Sequence, residues 1–142
     1  MRILFLDDDR NRHSLFTNKL DNIGAKDISL HHAFDYNSFV ELVSKNNYDM
    51  VFLDHDLSYE AVMCDPNNIE EKTGTDVAKW ICENKKPNEL NEIVIHSLNP
   101  VGSKNMVSIL FEYGFSVVCC TFYTVIRHLS LTGKASVYGA DD

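Results

Sequence analysis

Two apolar runs of this chain end in acid: Ile3 to Leu6 leads into Asp7-Asp8-Asp9, and Met50 to Leu53 leads into Asp54-His55-Asp56. Carboxylates converging from different strand ends repel one another and raise a pKa unless a cation offsets them, and hard cations prefer oxygen ligands. Asp7, Asp8, Asp54 and Asp56 are therefore candidate ligands for Mg2+ or Mn2+, with Arg10 as a less complete counter-charge. The bland alternative for Asp7 to Asp9 is a solvated turn opening a helix, where negative charge favours the helix dipole. His55 lies between two of the acids, and His96 follows a third apolar run, Ile93-Val94-Ile95. Neutral imidazole near pH 7 can take or give a proton. A base that activates water and an acid that protonates a leaving oxygen are the minimum apparatus for cleaving a phosphoester near a cation. The other role open to either histidine is to orient an aspartate or complete a buried hydrogen bond.

The segment from His96 to Met106 is more polar than a simple turn and opens a helix whose free amides suit a phosphate. Ser97 and Asn99 can donate to phosphoryl oxygens, Gly102 permits close backbone approach, and Asn105 or Lys104 can complete the cradle. Asn105 is also placed to cap its helix, as is Ser103. Thr73-Gly74-Thr75-Asp76 offers Thr73 or Thr75 as a cap and Gly74 as a hinge, without the GxxxxGK[ST] pattern of a phosphate loop. His13 follows the acidic cluster closely enough to touch a substrate or to face solvent. His31, His32 and His128 read as surface residues.

Positioning these groups requires strands that end together. The chain alternates strand-like runs with helical spacing, the signature of a βα repeat. Strands are expected over Arg2 to Leu6, Asp27 to Ala33, Tyr48 to Leu53, Asn91 to His96 and Phe115 to Cys120. The intervening helices carry Leu15, Phe16, Leu20 and Ile23 up to Gly24; Phe39, Val40, Leu42 and Val43 after Asp35; Val77, Ala78, Ile81 and Cys82; and Met106, Val107, Leu110 and Tyr113. A short last helix is expected near Thr124 to Leu131. The polar loop from His55 to about Thr73 is longer than packing needs, which suggests that Ser58 to Glu71 shape access. Right-handed crossovers give an α/β fold, a doubly wound five-stranded parallel sheet ordered 2-1-3-4-5, with strands one, three and four central. Residues 1–131 form one domain in this reading and 132–142 a polar C-terminal tail.

With 142 residues, 44% of them hydrophobic, the chain can bury one proper core. Its 21 acidic against 13 basic residues give a net charge of -8, which argues against long duplex nucleic acid but not against a small nucleotide. Cys64, Cys82, Cys119 and Cys120 lack metal-ligand spacing and read as buried reduced thiols. No apolar stretch approaches 18 residues, so no membrane or secretory address is expected and a cytoplasmic location is.

Ile3-Leu4-Phe5-Leu6-Asp7-Asp8-Asp9, Val51-Phe52-Leu53-Asp54 and Ser97 resemble the receiver domains of response regulators, a flavodoxin-like topology. That resemblance implies Mg2+ on Asp7 and Asp8 and a phosphoryl acceptor at Asp54. The receiver lysine at the end of strand five is missing from Val117-Val118-Cys119-Cys120-Thr121-Phe122, a departure that weakens a signalling role. Four motifs, Leu6 to Arg10, Leu53 to Leu57, Thr73 to Ala78 with Trp80, and His96-Ser97 through Asn99-Pro100-Val101-Gly102 to Asn105-Met106, resemble a second family. It comprises the cyclic-phosphate processing receiver-like domains of bacteria and their viruses. This resemblance implies His55 and His96 as added acid-base groups, Asp54 as a catalytic carboxylate, Asp7, Asp8, Asp54 and Asp56 as the acidic pocket, and Arg10 as a phosphate contact. The expected function is metal-assisted hydrolysis of a cyclic phosphate ester, in a cyclic nucleotide or at an RNA 2′,3′-cyclic phosphate end. The alternative is a noncatalytic module binding a phosphorylated small molecule or a protein partner, and the face of the last strand could support a homodimer.

Overall fold

In the computed structural model, which describes residues 1–24, 27–57 and 72–126, the apolar runs form five parallel strands: β1 (Arg2–Leu6), β2 (Ser29–Ala33), β3 (Tyr48–Leu53), β4 (Leu90–Ile95) and β5 (Val117–Cys119). Their order is β2-β1-β3-β4-β5, as the crossover rule predicts. Four helices connect them: α1 (Arg10–Asn22), α2 (Tyr36–Lys45), α3 (Gly74–Asn84) and α4 (Pro100–Glu112). A further short helix covers residues 122–126. The expected boundary at 131, the tail, His128, Cys64 and the segment from Ser58 to Glu71 lie outside the described residues.

Side chains alternate along each strand, so each strand feeds two cores. Leu4, Leu6, Val51, Leu53, Ile93 and Ile95 pack with Phe39, Val43, Val77, Ile81, Met106 and Leu110 of α2, α3 and α4. Ile3, Phe5, Met50, Phe52 and Val94 pack on the opposite face with Phe16 and Leu20 of α1 and with Phe122 and Val125. Leu15, expected in the α1 stripe, is 47% exposed, because the stripe that meets the sheet runs through Phe16 and Leu20.

Each helix start is fixed by a polar side chain. Asp9 accepts from the amides of Asn11 and Arg12 at the start of α1, while Asp35 with Ser38 and Thr73 with Asp76 form capping boxes on α2 and α3. Asn99, not Ser103 or Asn105, caps α4 by accepting from the Gly102 amide. Pro100 follows at the first helical position, which starts the helix three residues ahead of Ser103. Strand β2 begins at Ser29 rather than Asp27, whose φ of 64° is left-handed and cannot continue a strand. The expected fifth strand shortens to Val117–Cys119, since it is an edge strand paired only with β4. Cys82 and Cys120 are half-buried and Cys119 is exposed, and none of the three forms a disulfide among the described residues, so burial is not what these cysteines share. Among the described residues no helix is long and apolar enough to cross a membrane.

The start of α3 is pressed onto the end of β3. The Gly74 amide donates to the His55 carbonyl at 2.7 Å. A Cβ at position 74 would overlap the Asp54 carbonyl oxygen, come to 2.7 Å from the His55 Cα and to 2.8 Å from the Met106 Cε. Alanine normally favours a helix over glycine by roughly 0.5–1 kcal/mol, but here two obstacles are backbone, and overpacking of about 1–3 kcal/mol outweighs the gain. Gly74→Ala is therefore expected to lower the urea midpoint; an unchanged or raised midpoint would show that α3 has room to move.

Candidate metal and phosphate site

Register carries the sheet one residue beyond its strands. Leu6 pairs with Leu53 and Leu53 with Ile95, so Asp7, Asp54 and His96 follow side by side. The Asp54 amide still donates to Leu6 (3.1 Å) and the His96 amide to Leu53 (3.0 Å). By alternation all three continue the face of Phe5, Phe52 and Val94, the face under α1. Asp8 completes the cluster: Asp7, Asp8 and Asp54 each offer an oxygen within 4.8 Å of the others. Asp56 stands apart, its Oδ1 3.0 Å from His55 Nδ1 and 3.4 Å from Asn99 Nδ2, because the chain has left the sheet by then. Asp9 is spent on capping α1.

The counter-charge on these acids comes from Arg12, which the sequence reading did not single out. Its Nε is 2.8 Å from Asp7 Oδ2, and its Nη2 is 3.7 Å from Asp54 Oδ2 and 4.0 Å from Asp8 Oδ1. The available signal was spacing: Asp8 and Arg12 are four apart around a helix start. Arg10, two positions earlier, spreads its guanidinium over the Phe34 ring, 4.4 Å from the centroid. Burial pushes Asp7 up, but hydrogen bonds from His96, Arg12 and the Asp9 amide outweigh it and hold the carboxyl below its ordinary range. Asp54 goes the other way. Burial, then the charge of Asp7, raise it to about 7, with Arg12 offsetting only part. Its Oδ1 accepts from the His55 amide at 2.9 Å, whereas the buried Oδ2 has no hydrogen-bond partner among the described residues. An all-oxygen donor set with one buried oxygen unsatisfied fits a hard divalent cation, held by Asp7, Asp8 and Asp54.

His96 is 2% exposed and stacks on Phe5, ring centroids 5.0 Å apart. Burial lowers its pKa against the pull of Asp7, so the neutral ring donates Nε2–H to Asp7 Oδ2 at 2.9 Å. Its Nδ1 is then a buried acceptor without a hydrogen-bond partner among the described residues. His96 therefore orients Asp7 directly. His13 is also buried rather than facing solvent: its Nε2 donates to the Asp7 carbonyl at 2.8 Å and its Nδ1 lies 2.7 Å from His32 Nδ1. Burial takes the His13 pKa down to about 4. His31 and His32 are half-buried, not surface residues, because His32 turns to His13 and His31 to the Tyr48 hydroxyl.

His55 occupies the open side. Its Nδ1 faces Asp56, which favours Nδ1–H and leaves the lone pair on Nε2. Gly102 makes room for this ring: a Cβ there would overlap the imidazole, so the glycine expected beside a phosphate lies against His55 instead. Asn99 is shared between capping, through Oδ1 to the Gly102 amide, and Asp56, whose Oδ1 accepts from Asn99 Nδ2 at 3.4 Å; the Nδ1–H of His55 converges on the same carboxylate oxygen. Ser97 is buried with its Oγ accepting from the Asn99 amide at 3.0 Å, and Asn105 is exposed on α4.

The raised Asp54 pKa fixes a sign. Between about pH 4 and 7 the folded carboxyl keeps a proton that the unfolded one has lost, so its contribution to stability falls as pH rises through that window and is flat above it. His13 titrates over the same window in the opposite sense, but it is present in parent and variant alike, so the difference between the two reads Asp54. In the presence of chelator, Asp54→Asn is expected to gain stability over the parent by up to about 1.4 kcal/mol per pH unit across that range. A pH-independent difference in urea unfolding would contradict the assignment.

Solved structures of similar fold include receiver domains of response regulators. One from Rhodospirillum rubrum has a TM-score of 0.61 at 16% identity, covering 94% of this chain and 91% of that one. A Francisella response regulator receiver has 0.58 at 19%, covering 93% and 95%. The Thermotoga maritima response regulator TrrA, in complex with Mg2+ and BeF, has 0.58 at 20%, covering 85% and 87%. Identities this low speak for the fold alone. No curated protein matches the chain. The family model of the cyclic-phosphate processing receiver domain matches residues 2–112, which include β1 to β4, the three clustered aspartates, both site histidines and Gly102, and the chain belongs to that family.

Proposed function

We propose that this protein is a cytoplasmic, metal-assisted hydrolase of a cyclic phosphate ester, acting on a cyclic nucleotide or on an RNA 2′,3′-cyclic phosphate end. The observation that carries the reading is the cluster of Asp7, Asp8 and Asp54, with the buried Asp54 Oδ2 lacking a hydrogen-bond partner among the described residues. A bound Mg2+ or Mn2+ would withdraw charge from a phosphoryl oxygen and make the phosphorus easier to attack. Arg12, 29% exposed at the rim of the cluster, can turn part of its guanidinium toward a phosphoryl oxygen. As the water oxygen bonds to phosphorus and the ring P–O bond breaks, His55 takes the water's proton at Nε2, with Asp56 beside Nδ1, and hands it to the departing ribose oxygen. His96 keeps Asp7 ionised and aimed, and as the second imidazole of the site it reaches the reaction only through that carboxylate. The Val101 amide at the start of α4, with Ser97, Asn99 and Asn105 nearby in sequence, is the proposed phosphate side; Pro100 has no amide, and those of Gly102 and Ser103 are taken by Asn99.

The second reading is a noncatalytic phosphate-binding module. What favours it is that His96 is sealed and already bonded to Asp7, leaving His55 as the more accessible of the two expected proton carriers. Phosphorus NMR with 2′,3′-cyclic, 3′,5′-cyclic and cyclic dinucleotides, with and without Mg2+ or Mn2+, separates the two. Conversion to a linear phosphate is expected, reduced by about 10²–10⁴ in His55→Ala. His96→Ala is expected to weaken metal dependence along with the rate. Resonances that broaden without conversion would establish the binding module instead.

A further inference from the structure

A cavity of about 580 Å3 opens between the start of α4 and the end of β5. Its lining shares Ser97 with the proposed phosphate side of the site just described. Ile95 pairs with Cys119, so the next residues but one, Ser97 and Thr121, adjoin across the strand ends, and both line the cavity. We propose that it receives the base of a cyclic nucleotide whose phosphate lies at the acidic crevice, an inference that rests on the hydrolase reading and narrows its substrate class to nucleoside cyclic phosphates.

Three features support a heteroaromatic occupant. The wall is mostly apolar, built by Pro100, Val107 and the stem of Lys104, and the volume lies in the range that ordinary ligand pockets occupy. Ser103, which lines it, is 4% exposed, yet its hydroxyl has no hydrogen-bond partner among the described residues. A helical serine commonly bonds the carbonyl four residues back, but the Asn99 carbonyl here accepts only the Ser103 amide. The hydroxyl is left to give or accept one hydrogen bond at the cavity wall, as the edge of a base requires. Among the described residues the lining also includes Lys104 and no aspartate or glutamate, in a chain of net charge -8. An anionic ester is therefore not repelled on this side.

The test titrates the full chain, followed by amide NMR, with adenosine 2′,3′-cyclic monophosphate and with methyl riboside 2′,3′-cyclic phosphate, which lacks the base. The adenosine compound is expected to bind about tenfold more tightly or better and to shift the amides of Ser103, Val107 and Cys120. Val107→Trp, which fills the cavity, should remove that advantage and leave the affinity for the methyl riboside unchanged. Ser108→Trp, placed on the exposed side of the same wall, serves if the first substitution unfolds the chain. Equal affinity for the two compounds, or an advantage that survives both substitutions, overturns the base site. If both compounds are cleaved with equal kcat/KM, the hydrolase reading stands and the base site falls. If the base confers affinity but neither compound is cleaved, the base site stands and the hydrolase reading falls. No shift from either compound overturns both.

Discussion

Two carboxylates buried side by side at the ends of adjacent parallel strands, Asp7 and Asp54, impose a cost that the surrounding residues are arranged to meet. Like charges this close cannot both ionise cheaply in a place that water does not reach. Asp7 takes the donors: His96, Arg12 and the Asp9 amide hold it ionised. Asp54 takes the remainder of the strain, with its pKa near 7 and one oxygen short of a partner. The division depends on local chain chemistry. Because Asp9 caps α1, Arg12 falls in the first turn of that helix and points back over the strand ends. One cap thus sets both the start of a helix and the electrostatics of the crevice.

The site has a sealed half and an open half. On the sealed side, His96 stacks on Phe5, which also packs against Phe16 and meets His13 edge-on, so the ring that orients Asp7 is itself held by the core. On the open side, His55 lies against Gly102 with Asp56 and Asn99 around it, and Gly74 presses the next helix onto its backbone. Two glycines create the space this histidine needs. Arg12 sits where the halves meet, at 29% side-chain exposure, which suits a cation that can serve carboxylates and substrate.

Much of this was legible in the sequence because the signals were periodic. Strands buried on both faces read as continuous apolar runs, and acids immediately after them must share one edge of the sheet, which located Asp7, Asp8 and Asp54 and the order of the strands. What was not legible depended on direction rather than position. Arg10 and Arg12 are both basic and two apart on a helix, and only the cap position decides which one faces the acids. Asp56 lies past the point where the sheet's alternation applies, and it joins His55 instead of the cluster. Ser103 and Asn105 looked like caps, but Asn99 followed by proline starts α4 earlier and leaves the serine hydroxyl buried. The edge strand's His32 turned inward to His13 and Phe34, contacts that no spacing rule encodes.

The central claim is that the three-aspartate cluster holds a divalent cation, and site-resolved paramagnetic broadening by substoichiometric Mn2+ tests it most directly. The account predicts that the amides of Asp8, Asp54 and His55 broaden first and that Asp54→Asn abolishes this preference. Broadening spread over surface acids, and unchanged in that variant, would contradict it.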